Sequence, residues 1–595
     1  VITGAATIAA DTTITTAANA GIIKFTSTVD GSSAGGQELD LLTDGAGTVT
    51  IGGAIGATTP LKTLDINATG TASGDMSIAN IGKTDGTTYT YGVTGTTNIG
   101  HTTTGDLTLS GTVYNTGAAN YQAKSTKSIK ATGASPTFRG DVAANDDIKF
   151  ETAGVVISDG TLTVITHGED ITFDGAITGS AGANEVVSLS TLGGSQTTGE
   201  ITLSSTVGAG SKIGSVALQG ATVKLGGHIT TQAVGGVVVT GDATLTAHTT
   251  ITTAANAGVV TFNNKIDGAS AGAQDFDILT NGTGAVTLKG DIGTVAALKT
   301  LDVKATGGSA AITLSGDIGV TGTAGAGATN LGSDAMTHTL SLDGDMYNTS
   351  GATVYEADAI SFGKGAAATV KGSSTIAFND GTVTLEDETM LTVDTSGSNT
   401  DITFQGTIDS ADSTNANETL TITAGTGNVT LSGIGSGTAD ASNIKTVSVT
   451  GTTITLEGKT AGQTAIYETD TDGSITFSGN VVLGENTTID SDNAGGGGAN
   501  IEITGTILSD DANALRQLTI SSGTGDVTIG GHIGATATKH LGALTIDAAG
   551  AGAISLKNIG AVGDGGVKTG NVAIGNTTGT TGITFGGTIY ETDAT

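Results

Sequence analysis

A long block of this chain is written twice and then begun a third time. Thr12-Thr13-Ile14-Thr15-Thr16-Ala17-Ala18-Asn19-Ala20-Gly21 returns at residues 249–258, and Leu61-Lys62-Thr63-Leu64-Asp65 returns at residues 298–302, with no insertion or deletion between the two. A third copy opens at Thr487-Thr488-Ile489 and runs to Thr595. Tandem duplication on this scale leaves few folds open, because each unit must bury its apolar face against its neighbours and not inside a globule. The 595 residues divide into super-repeats 1–247, 248–485 and 486–595 of one continuous array, which points to a fibrous, structural role.

Inside the copies one phrase recurs, x-[Ile/Val]-Thr-[Phe/Leu/Ile]-x-Gly-x-[Ile/Val]. It stands at Val49-Thr50-Ile51, Ile171-Thr172-Phe173, Ile402-Thr403-Phe404, Val429-Thr430-Leu431, Ile454-Thr455-Leu456, Ile475-Thr476-Phe477 and Ile583-Thr584-Phe585, among other places. Apolar residues two apart, with Thr between them, put both apolar side chains on one face of a strand and the hydroxyl on the other. A second strand phrase lies between these, as in Leu64-Asp65-Ile66, Leu301-Asp302-Val303 and Leu544-Thr545-Ile546, usually followed by a Gly-bearing turn such as Thr69-Gly70.

Two or three short strands and their turns, returning about every 20–27 residues, predict an all-β parallel solenoid whose coils stack about 4.8 Å apart. Roughly 24 such coils would make a rod on the order of 110 Å long at that spacing. Phe173, Phe404, Phe477 and Phe585 hold the same place in the phrase and are expected inside. Tandem β-sandwich domains with Greek-key connections are the alternative. They would bring linkers and domain-sized repeats, whereas here the phrase runs on without a break in composition.

Composition supports order. The chain has 97 Gly, 2 Pro, no Cys and no Trp, which fits neither a collagen period nor a disulfide scaffold. Its 37% hydrophobic content is spaced regularly enough to be buried, which argues against disorder. Absence of cysteine is compatible with an exported bacterial protein. No apolar run approaches the roughly 18 residues of a membrane helix. A net charge of −34 excludes nucleic acid, which is bound through clusters of Lys and Arg. The same charge keeps long particles apart and attracts divalent cations.

Catalytic patterns are weak. Arg139 and Arg516 are the two arginines, and the acids are scattered, so a polysaccharide-cleaving site has little to be made from. The seven histidines show no metal spacing. No enzyme is expected, and no cofactor other than structural calcium. Glu468-x-Asp470-x-Asp472-Gly473 resembles the opening half of an oxygen-ligand calcium loop, although the bidentate twelfth-position Glu is missing. Acid pairs at Asp146-Asp147, Asp490/Asp492 and Asp510-Asp511 are similar in kind. Thr-rich strand faces suit ice binding only on a flat lattice, which variable coil length would spoil. The sequons at Asn67, Asn428 and Asn576 are expected by chance in so Thr-rich a chain.

Phrases such as Gly427-Asn428-Val429-Thr430-Leu431-Ser432-Gly433 and Asp170-Ile171-Thr172-Phe173-Asp174-Gly175 resemble the filamentous-haemagglutinin-like adhesins and other β-strand-repeat exoproteins of bacteria, over nearly the whole chain. The resemblance implies a β-helix, secretion, and a place in adhesion, matrix or cell-surface architecture. The Asn-Pro-Asn motifs of that family's secretion domain do not occur here; the prolines are Pro60 and Pro136.

The ends suggest how such a chain could assemble. Val1-Ile2-Thr3-Gly4 matches Val238-Val239-Thr240-Gly241, and Ile589-Tyr590-Glu591-Thr592-Asp593 matches Ile466-Tyr467-Glu468-Thr469-Asp470; both partners are internal, and neither end reads as a cap. The expectation is an extracellular or cell-surface filament, fibre or sheath built by head-to-tail stacking, with Val1, Ile2, Ile589 and Tyr590 at the subunit interface. An adhesin stalk that binds surface glycans or proteins is the alternative, and so is a trimmed piece of a longer repeat protein.

Overall fold

A computed structural model describes residues 1–16, 20–141, 146–180, 184–193, 196–211, 213–232, 235–253, 258–305, 310–333, 338–363, 367–411, 417–435, 444–470, 472–491, 497–511, 515–536, 539–548, 552–560, 569–575 and 581–592. Among them there is no α-helix, and nearly all strand pairing is parallel. The fold is a parallel β-solenoid of about 20 turns, and antiparallel sandwiches are not formed. By contacts it divides into two units, Val1–Gly290 with Ala305–Gly307 and Asp291–Lys304 with Gly308–Thr595.

In the first unit each turn contributes to three faces. The first face runs from Thr12–Thr15 through Glu38–Leu42, Thr63–Ile66, Thr97–Ile99, Ala119–Gln122 and Ile148–Glu151 to Ile171–Phe173. The second is a seven-stranded sheet from Ile22–Phe25 to Ile177–Gly179. The third starts at Ala6–Ile8 on Val29–Gly31 and continues through single bridges at Ile55 and Ile81 to Val113–Thr116. Alternation of buried and outward residues is strict along most strands, because side chains alternate between the two faces of a pleated strand. Leu39, Leu64, Leu41 and Ile66 are thereby wholly buried and stacked in register.

The second unit follows the same plan, with longer strands that bend round a corner. Thr446–Leu456 pairs with Ile475–Leu483 on both sides of a register shift between Thr450 and Thr453. Glycine holds that corner for a steric reason. A Cβ on Gly479 would sit 1.9 Å from the carbonyl oxygen of Gly451, one on Gly505 2.2 Å from that of Gly479, and one on Gly531 2.1 Å from that of Gly505. The recurring x-Gly of the sequence phrase is this stacked corner, where backbone lies directly on backbone.

Aromatic side chains stack inside each unit. Tyr121, Phe150 and Phe173 follow one another with ring centroids 5.2 and 4.5 Å apart, and Tyr355, Phe378 and Phe404 with 4.8 and 4.3 Å. Such pairs contribute about 0.5–1.5 kcal/mol each beyond the area they bury.

Three expectations need correction. Coil length reaches 33 residues, as between Asp65 and Asn98; here the excess leaves as an antiparallel hairpin, Lys83–Thr84 against Tyr89–Thr90. The phrase also does not keep to one face. Ile454 pairs with Val481, and Ile475 pairs with Val447 on a different face, so the spacing from 454 to 475 is not a coil. Phe173, Phe404 and Phe477 are buried, but Phe585 is 52% exposed.

Candidate functional site

The sequence Ile466-Tyr467-Glu468 occurs again as Ile589-Tyr590-Glu591, and the two copies meet different surroundings. Tyr467 bridges back to Ile434 and Tyr590 back to Ile559, so each tyrosine lies on an equivalent coil below it. Above Tyr467 runs Thr487–Asp490, with Ile489 opposite the ring-bearing residue. Tyr467 is wholly buried, and its hydroxyl donates to the carbonyl of Leu431 at 2.6 Å; burial pushes that hydroxyl's pKa far up. Tyr590 is 37% exposed, accepts a hydrogen bond from the Gly587 amide at 2.8 Å and packs edge-on against Phe585 at 4.8 Å.

The strand before each tyrosine differs in the same way. Ile454 and Leu456 are covered by Val481 and Leu483 and have no exposure. Their equivalents Ile583 and Phe585, on the strand Gly582–Phe585, are 39% and 52% exposed. In the first unit Ile2 bridges to Phe25, and Val1 and Ile2 are exposed. Ile2, Ile583, Phe585 and Tyr590 are thus apolar or aromatic side chains left partly in solvent.

The tyrosine position has its own signature. Gly111 and Tyr114, Gly344 and Tyr347, and Gly587 and Tyr590 are each linked by a Gly amide donating to the Tyr hydroxyl. Gly-x-x-Tyr at these places was visible in the sequence, but only the amide-to-hydroxyl bond explains the spacing.

Several acidic residues tie coils together. Asp75 accepts from the Asp106 amide, Asp106 from Ser128, Asp170 from Glu200, Asp317 from Asp345 and Met346, and Asp526 from Ala553, at 2.7–3.0 Å. Each bond fastens the start of one strand to the coil before it. Lys130 beside Asp106 holds that carboxyl below the usual range, and the Arg516 guanidinium does the same for Asp510. Sequence reading missed these staples because the partner is a backbone amide about one coil away and carries no residue-type signal.

The calcium candidates lie at and just beyond the end of a strand. Glu468 ends the strand Ala465–Glu468, and its alternation with buried Tyr467 and Thr469 turns Glu468 and Asp470 outward. Thr469 donates to the Gly473 carbonyl at 2.6 Å and the Gly473 amide to the Asp470 carbonyl at 2.7 Å, closing the turn; Asp472 is exposed. Among the described residues no three His, Cys, Asp or Glu are grouped to hold a metal. Asp146 is instead buried, accepting the His167 amide at 2.9 Å with the ring Nδ1 at 3.2 Å, and burial raises its carboxyl pKa. Asp510 pairs with Arg516 at 2.8 Å. Asp492, Asp593 and the Asn576 sequon lie outside the described residues. Asn67 is fully buried and bonded to Thr43, which removes it as a glycan acceptor, whereas Asn428 is exposed.

The hairpin at Lys83–Thr90 carries the other distinctive group. Arg139 lies with Cζ 3.9 Å from the centroid of the Tyr89 ring, and the neighbouring Tyr91 hydroxyl donates to the Gly140 carbonyl at 3.1 Å. This pins the hairpin to the solenoid while leaving Tyr89 partly open to solvent. Among the described residues no helix is long and apolar enough to cross a membrane. Comparison with protein families, curated proteins and solved structures found no match to this chain.

Proposed function

We propose that this chain is a structural protein of the cell surface or extracellular space, whose coils continue from one copy to the next to form a filament or sheath. The observation that carries this reading is the uninterrupted parallel stacking of short coils on a wholly buried apolar ladder, an architecture that is extended by adding like coils. Exposed apolar strand edges are aggregation sites unless something pairs with them. The resemblance to filamentous-haemagglutinin-like exoproteins, the absence of cysteine and the net charge of −34 agree with an exported, solvated assembly.

Electron microscopy and light scattering of the purified chain test this. Stacked multimers at micromolar concentration, reduced to monomer by Phe585→Asp, are the expected result. A monomer at every concentration would overturn it. An adhesin is the second reading, favoured by the Tyr89 hairpin as an atypical, outward-standing coil; binding to immobilised glycans that disappears in Tyr89→Ala would support it.

A further inference from the structure

We infer that Arg139 and Tyr89, held in place by Tyr91, form a binding site for a carboxylated sugar, with the guanidinium taking the carboxylate and the exposed part of the Tyr89 ring taking the sugar. The inference rests on the adhesin reading above and names its ligand class.

The duplicated sequence supplies a comparison for Arg139. The strand Thr137–Gly140 pairs with Val113–Thr116 and sets Arg139 beside Asn115. In the second unit Ala367–Gly372 pairs with Met346–Thr349 and sets Lys371 beside Asn348. Tyr114 and Tyr347 precede those asparagines, and each hydroxyl accepts from a glycine amide three residues back, so the two cations hold the same position. On its next coil Lys371 meets Asp394, with Nζ 3.6 Å from Oδ2. Arg139 meets Ile165 instead. Among the described residues Arg139 has no carboxylate partner, and its buried Nε has no hydrogen-bond partner. The chain carries 56 Asp and Glu against 22 Lys and Arg, yet this guanidinium is left for an acid from outside.

The loop beside it differs in the same sense. Residues 83–91 run between Gly82 and Gly92, where residues 320–324 run between Gly319 and Gly325 in the second unit. Both loops are tied down alike: Asn115 Nδ2 donates to the Lys83 and Thr90 carbonyls at 3.0 and 3.3 Å, and Asn348 Nδ2 to the Val320 carbonyl at 2.9 Å. The shorter loop, Val320-Thr321-Gly322-Thr323-Ala324, has no aromatic residue and no cation. The longer one brings Tyr89 onto Arg139 and leaves Lys83 exposed. Asp85 is turned back into its own turn, accepting from the Thr87 and Thr88 amides at 3.0 and 2.7 Å. A planar guanidinium offers a carboxylate two parallel N–H bonds, and an aromatic ring beside it offers an apolar surface to the C–H face of a sugar.

Calorimetric titration of the whole chain with a galacturonate tetramer and with a glucose tetramer tests this. The parent is expected to prefer the acidic oligomer by about tenfold or more, the worth of one charge-assisted contact. Arg139→Gln should erase that preference, Lys371→Gln should keep it, and Tyr89→Ala should weaken both oligomers. A substitution that merely loosened the hairpin would lower both affinities together and leave their ratio standing. Equal affinity of the parent for the two oligomers, or a preference that survives Arg139→Gln, would overturn the ligand class while leaving glycan binding in place. Binding of neither oligomer would overturn this site and the adhesin reading together.

Discussion

Residues 454–468 and 583–591 share an Ile-Thr opening and an Ile-Tyr-Glu end in two settings. In the first, Ile454, Leu456 and Tyr467 are sealed; in the second, Ile583, Phe585 and Tyr590 are open. Both sets form their strands and bridge to the coil before them. The difference teaches that a coil here is specified by its own sequence and its predecessor, while its burial is supplied by its successor. That is the nearest-neighbour behaviour of a solenoid, in which each interface adds its own increment of stability.

The sharpest way to break the comparison is to truncate the tyrosine in both places. Tyr467→Ala removes a fully buried ring and a hydroxyl bond to Leu431, and is expected to cost about 3–5 kcal/mol of local stability. Tyr590→Ala should cost under ~1 kcal/mol in the monomer, since much of its ring is already in water. Hydrogen exchange of the flanking strands checks both, and equal effects would mean that the open coil is covered in solution.

Glycine gives the next contrast. Gly505→Ala must push a methyl into the Gly479 carbonyl, and about 1–3 kcal/mol is expected to be lost. Gly582→Ala meets nothing within 4 Å and should stay within about 0.5 kcal/mol of the parent. Urea titration followed by circular dichroism distinguishes them.

A gain can be sought as well. Appending residues 473–490 after Thr595 should lay a successor on Tyr590. Its amide protection should then rise about tenfold or more, corresponding to ~1.4 kcal/mol.

The smallest effect concerns charge. Arg516 bridges Asp510 and Glu485 at 2.8 Å and depresses the Asp510 pKa. A depressed carboxyl stabilises above its unfolded pKa and loses that contribution as pH falls through the folded value. Acidification below the ordinary carboxylate range should therefore weaken this contact by under ~1 kcal/mol, because the pair is partly solvated. Asp510→Asn should remove that pH dependence, as read by exchange at Gln517–Ser521.

Much of this architecture was legible in residues alone. Ile402-Thr403-Phe404 alternates in sequence and in burial, and the Gly that follows such phrases is the corner itself. Other features were hidden for physical reasons. The face on which a strand sits depends on how much chain each corner holds, so Ile475 could not be assigned to the Val447 row from spacing. Asp75 and Asp170 look like surface charge until the amide one coil on is seen beside them. Asn67 reads as a sequon, yet its left-handed backbone, φ 49°, turns the side chain into the interior against Thr43. The open state of Phe585 was hidden too, because exposure there depends on what lies on it and not on the phrase that encodes it.

The parallel ladders also give each unit an uneven response to force. Tension along the stacking direction would load the hydrogen bonds of all three faces at once, so a coil would have to release many bonds together. Tension on the strand Gly582–Phe585 alone would lift it from Ala553–Leu556 one bond pair after another. The same ladder is strong when stretched and weak when peeled, and a coil laid over that strand would convert the second case into the first.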